Sequence, residues 1–161
     1  MDLIKYTKEV SRKFTEKRNT PDKIINKYNI PIELKKSLKF RVVDAWDDEW
    51  TLSELYALEW PAYPLDNYWI DFWASPKHVD WLIIVWAISK NMKEPIKNAW
   101  DKILEPKILV ALWDKAIFWD DRFKEVVWWV KDIFSDRQII KIPWNPPKAQ
   151  DIFSHLVSLT K

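Results

Sequence analysis

The chain of 161 residues contains no glycine and thirteen tryptophans. Average usage near 7% would place about eleven glycines in such a chain. Glycine takes positive φ at tight turns and helix ends with little steric penalty. A chain without it must avoid such turns or carry other residues through them. The tryptophans stand where glycines are expected. Trp144 lies in Pro143-Trp144-Asn145-Pro146-Pro147, a turn composition. Trp46, Trp113 and Trp119 each precede an aspartate, and Trp46 and Trp113 close apolar runs as glycine does at a strand end. Trp128-Trp129 reads as a Gly-Gly type of turn. The reading is that tryptophan occupies the glycine positions of an ordinary α/β protein. The alternative is a tryptophan-rich module whose exposed rings stack on sugars or nucleobases. That alternative needs several tryptophans on one face. Their placement at turns and strand ends, rather than alternating along a strand, argues against it.

Composition narrows the class. The length suits one domain with a short extension. Hydrophobic residues at 48% supply a core, and a net charge of +2 argues against a polyanion-directed protein, so no nucleic-acid partner is expected. Basic residues concentrate in residues 1–41, among them Lys5, Lys8, Arg12, Lys13, Lys17 and Arg18, which reads as a solvated helical face. There is no cysteine, which excludes disulfides, thiolate nucleophiles and cysteine-ligated iron–sulfur or zinc sites. His78 and His155 are too few and too far apart for a metal motif. No stretch approaches about 18 uncharged apolar residues and no signal peptide opens the chain, so a soluble, cytoplasmic protein is expected. Ser53, Ser75 and Ser89 lack a nucleophile-elbow context, and a Walker motif requires glycine.

Along the chain, Leu3, Ile4, Tyr6, Val10 and Phe14 fall near helical period. A second short helix is expected at Thr20-Pro21 and a third segment from Pro31 to Lys39. Residues 1–39 therefore read as a helical extension and 40–161 as the α/β domain. Strands are expected at 40–45, 70–74, 81–87, 107–113 and 139–142. Thr51-Leu52-Ser53-Glu54 reads as a capping box opening a helix to about Glu59. Further helices are expected over 91–104 and 147–159. The alternation predicts a parallel sheet with helices on both faces, and function in the loops beyond the carboxyl ends of the strands.

Four segments at those loops carry a resemblance. They are residues 43–51 (Val43-Asp44-Ala45-Trp46 onward), residues 68–78 (ending Ala74-Ser75-Pro76-Lys77-His78), residues 111–116 (Ala111-Leu112-Trp113-Asp114-Lys115-Ala116) and residues 142–147. With tryptophan read as glycine, the chain resembles the small iron–sulfur subunit of energy-converting [NiFe] hydrogenases and its homologue in respiratory complex I (NADH:quinone oxidoreductase). The family pattern is V-D-x-G-x-C-N-G-C-E-x-E, F-G-I-x-F-x-A-S-P-R-H, G-D-C-A and V-P-G-C-P-P. The similarity spans about residues 40–158, and Asn91-Met92 matches a family Asn-Met pair.

The resemblance implies a flavodoxin-like fold, a large-subunit partner, attachment to the inner face of the cell membrane through the complex, and electron relay through one [4Fe-4S] cluster. The cluster-ligand positions fall on Asp48, Thr51, Lys115 and Asn145, none of which is a thiolate. Iron–sulfur clusters need soft sulfur ligands, and a lysine ammonium has no lone pair. The expectation is a cluster-free structural subunit with no cofactor, non-catalytic by itself. Its alternatives are a working electron-relay subunit and the tryptophan-rich module. At the former ligand positions, salt bridges between Lys115 and Asp44, Asp47, Asp48 and Glu49 are expected, with a carboxylate site for Mg²⁺ or Ca²⁺ as the other reading. The resemblance further marks Glu54 as a proton-path position, which its capping role explains equally well. It also marks Lys77 and His78 as large-subunit interface residues, for which a solvated loop is the other reading.

Overall fold

The computed structural model describes residue 30 and residues 32–46, 49–112, 116, 127–142 and 148–160, with backbone only at 127 and 128. Among the described residues these strands and α-helices follow in chain order: α1 (Ile32–Lys35), β1 (Leu38–Asp44), α2 (Glu49–Ala57), β2 (Ile70–Phe72), β3 (Trp81–Val85), β4 (Ile88–Ser89), α3 (Lys93–Asp101), β5 (Ile108–Leu112), β6 (Val127–Trp128), α4 (Val130–Ile133), β7 (Ile139–Ile142) and α5 (Ala149–Leu159). Five strands form one sheet in the order β2-β1-β3-β5-β7, and every pair in it is parallel. Numbered among themselves those strands run 2-1-3-4-5, the flavodoxin-like order. The expected α/β architecture is therefore present. A second ladder, β4 with β6, is antiparallel and short.

The sequence explains the layering. β3 (Trp-Leu-Ile-Ile-Val) and β5 (Ile-Leu-Val-Ala-Leu) are buried at every position, as strands covered on both faces must be. Alternate residues feed two cores. Phe40, Ile83, Val85 and Val110 pack on one face with Leu55 of α2, Leu58 just after it, and Ile152 and Leu156 of α5. Leu82, Ile84, Leu109 and Ala111 pack on the other with Ile96 and Trp100 of α3. β1 begins at Leu38, two residues before the expected boundary, because Leu38 is fully buried in the first core together with Leu34 and Ile30.

β2 pairs only with the amino half of β1, where Phe40 lies opposite both Phe72 and Trp81. The end of β2 and the start of β3 thus flank one residue, with ring centroids 5.9 and 5.4 Å from the Phe40 ring. Residues 73–80 need only step across β1, so a crossover with a single 3₁₀ turn and no α-helix suffices where parallel neighbours usually need a longer one.

Candidate functional site

In a 2-1-3-4-5 sheet the order reverses between β1 and β3, and the crevice at their carboxyl ends is the default ligand position. A cavity of about 460 Å³ lies there, lined by Asp44, Ala45 and Trp46 after β1 and by Ser89, Lys90, Asn91 and Met92 after β4. Two backbone bonds close its floor: Ala45 N–H donates to Val85 O at 3.1 Å and Ser89 N–H to Ala45 O at 3.2 Å. The Asp44 carboxylate accepts the Trp46 N–H at 3.1 Å, a local turn that aspartate favours. Trp86 leaves β3 at φ 72 before the fully buried Ala87. Lys90–Met92 forms a single 3₁₀ turn leading into α3, so Asn91 stands exposed at the rim.

α2 changes two expectations. It begins at Glu49, so Thr51 is inside the first turn and fully buried rather than the N-cap. Glu54 does not reach back to its own helix either. Its Oε2 accepts the backbone N–H of Ala149, the first residue of α5, at 2.7 Å. Lys148, the N-cap of α5, supplies no side-chain cap, so a carboxylate from 95 residues away fills the position. A carboxylate there meets the positive end of the helix and makes a charge-assisted bond. The capping-box reading is corrected: Glu54 caps a different helix.

Asp48, Lys115 and Asn145 lie outside the described residues, as do Asp47, Trp113 and Trp144, so of the four former ligand positions only Thr51 is placed. Lys77 and His78 sit on the 73–80 crossover, in a 3₁₀ turn whose N-cap Ser75 accepts the Lys77 N–H at 3.4 Å. Both are exposed, neither lines the switch-point cavity, and the His78 ring lies 6.1 Å from that of Trp73. Among the described residues no group of three or more His, Asp or Glu is placed to hold a metal ion. With no cysteine in the chain, an iron–sulfur cluster does not fit this site. His155, read only as an unlikely metal ligand, is a core residue of α5. Burial pulls its imidazole below the ordinary value, against the bond its Nδ1 makes with Asp151 O at 2.8 Å.

Tryptophan is not uniformly a glycine stand-in. Trp69 (φ 57) and Trp86 (φ 72) are the positive-φ residues among those described. Trp46 is not among them and is 41% exposed. Trp128 is in β6 and Trp129 is extended (φ −79, ψ 155) ahead of α4, so the pair is not a two-residue turn. Trp81 and Trp100 are core residues.

No protein-family profile and no curated protein sequence matches the chain. Solved structures do. A chain in the structure of the membrane-bound sulfane sulfur reductase, an archaeal respiratory membrane complex, superposes with a TM-score of 0.62 at 17% identity, over 80% of this chain and 71% of that one. The likeness at that identity is one of fold.

Proposed function

We propose that the chain is a cluster-free structural subunit of a membrane-bound respiratory redox complex of the hydrogenase and complex I kind. It docks a large-subunit homologue at the carboxyl end of its sheet and holds the assembly together without relaying electrons. The observation that carries this is the switch-point cavity. It sits where such a fold places its chemistry, yet the chain brings no thiolate to it. The fold likeness to a respiratory membrane complex supports the same reading. Trp46 and Trp50, 41% and 64% exposed beside that end, are residues of the type that anchors an interface. Glu54, by tying α2 to α5, keeps the docking end rigid.

In this proposal the large subunit extends from the carboxyl end of the sheet to Lys77 and His78 on the crossover. The residues ahead of β1 form a helical extension whose Ile30 and Leu34 join the core, and the complex holds the protein at the inner face of the membrane. No helix among the described residues is long and apolar enough to cross a membrane. The experiment is affinity purification of the native assembly with metal analysis of the isolated chain. A large-subunit homologue should co-purify, and the chain alone should hold no iron after anaerobic reconstitution. A shoulder near ~400 nm with about four irons per chain would instead establish an electron-relay subunit.

A further inference from the structure

Between Arg41 and Lys77 the chain has no basic residue, while eight Asp and Glu fall there. Glu59, Asp66 and Asp71 of that stretch are exposed around β2, the strand at one end of the sheet. No ion pair neutralises them among the described residues. The same edge carries four exposed rings: Tyr56 at 60%, Trp60 at 69%, Trp69 at 73% and Trp73 at 43%. Two adjoining cavities of about 290 and about 480 Å³ run beside them and share Glu59 and Phe72 as walls, with one cation, Arg41, in the smaller and none in the larger.

The rings are held in place. Trp73 donates its indole N–H to the Asp71 carboxylate at 2.7 Å, and Trp69 is set by its left-handed backbone. β2 pairs with β1 alone, so its outer backbone groups are open among the described residues. The opposite end of the sheet differs: the cavity beside β7 is lined by Lys131, Arg137 and Lys141 with one carboxylate, Asp132.

Clustered exposed aromatics mark surfaces that another protein covers. An open strand edge accepts an extended segment through main-chain hydrogen bonds. Lys39 lies opposite Asp71 in the register and Arg41 beside Glu59, but Asp66 has no such neighbour among the described residues and the carboxylates outnumber the cations. Net negative charge selects a basic partner and repels an acidic one. We propose that the β2 edge is a docking site for an extended lysine- or arginine-bearing segment of a partner polypeptide. The segment's backbone pairs with β2, its aliphatic stems lie on the rings, and its cations meet Glu59, Asp66 and Asp71. Cation–ring contact adds to the attraction. This surface lies apart from the switch-point cavity but adjoins His78, whose ring is 6.1 Å from that of Trp73. The peptide test needs no large subunit, so its failure is distinguishable from failure of the function proposed above.

The test titrates the full chain with a synthetic peptide of ~10 residues alternating lysine and valine, long enough for one strand. Binding is read by calorimetry and tryptophan fluorescence, against the same peptide with glutamate for lysine. The lysine peptide should bind, the glutamate peptide should not, and affinity should fall as salt rises. The Glu59→Gln/Asp66→Asn/Asp71→Asn variant should bind at least ~10-fold more weakly. A Trp60→Ser/Trp73→Ser variant, which keeps the charges, should lose a comparable factor, with circular dichroism confirming that both variants are folded. Equal binding of the two peptides, or unchanged affinity in the charge variant, overturns the proposal. Loss in the charge variant alone leaves only diffuse attraction and overturns it too. Binding seen only after deletion of residues 1–29 makes the chain's own basic N-terminus the occupant, and the partner proposal falls.

Discussion

The buried core and the left-handed ends of elements hold tryptophan in opposite circumstances. Trp81 is fully buried at the start of β3, its ring 5.4 Å from that of Phe40. Trp100 is buried on α3 against Phe134, with the Lys107 ammonium 4.6 Å from its ring and bonded to Trp100 O at 2.9 Å. Trp69 and Trp86, by contrast, terminate elements with φ of 57 and 72. A non-glycine residue held there carries about 1–2 kcal/mol of steric strain. The first pair stabilises through burial and the second pair opposes stability through the backbone. Composition merges the two, because a residue count does not know which atoms are covered.

The largest effect that separates the two groups is Trp81→Ala, expected to lower unfolding free energy by about 3–5 kcal/mol in denaturant titration. Trp81→Phe should lose much less. The Trp81 indole N–H has no hydrogen-bond partner among the described residues, and phenylalanine removes that buried donor. Equal losses for the two substitutions would mean that a phenyl ring at this site restores none of the packing, and Trp81 would leave the class stabilised by burial.

Next in size is Glu54→Gln, which keeps the shape but weakens the bond to the α5 N-terminus. A loss of about 1 kcal/mol is expected, with the thermal midpoint lowered accordingly. Trp69→Gly and Trp86→Gly run the other way. Each should raise stability by about 1 kcal/mol, because relief of left-handed strain outweighs the entropy that glycine returns to the unfolded chain. A loss of that size at either position would assign its tryptophan to the same class as Trp81.

The smallest effect is in pH. His155 has its pKa lowered from 6.5 in the fold. The unfolded chain therefore binds more protons just below pH 6.5, so stability falls as pH drops through that region. His155→Phe should flatten that part of the profile in thermal melts. Asp80 acts oppositely at lower pH. Desolvation raises its carboxyl above 3.8, against the nearby Lys39, so the folded state gains stability as that group protonates on acidification.

The fold was legible where local pattern and burial coincide. β3, β5 and β7 are apolar runs whose bounds fall within two residues of those read from the sequence, and α5 shows its apolar face directly. The β4–β6 ladder was not legible, since two-residue strands carry no periodicity. The site was legible in place but not in detail. Strand alternation puts the cavity beyond β1 and β3, as found. Thr51 and Glu54, however, satisfy the capping-box spacing while doing something else. The helix begins at Glu49, three residues before the position a Thr51 cap would set, and the partner of Glu54 is a main-chain N–H on another helix, which no local motif encodes. The edge aromatics were visible as residues, but their gathering around β2 required the register of Phe72 against Phe40.

The bond from Glu54 to Ala149 also bears on the order of events during folding. Its two ends are separated by 95 residues, and closing so long a loop costs entropy that one bond does not return, so we expect it to form late, with a φ value near zero for Glu54→Gln. An interaction formed that late is absent from the rate-limiting barrier and does little to the speed of folding. Its contribution falls on the reverse step. On that order Glu54 acts as a latch that slows escape from the native state and lengthens the lifetime of the α2–α5 contact it closes.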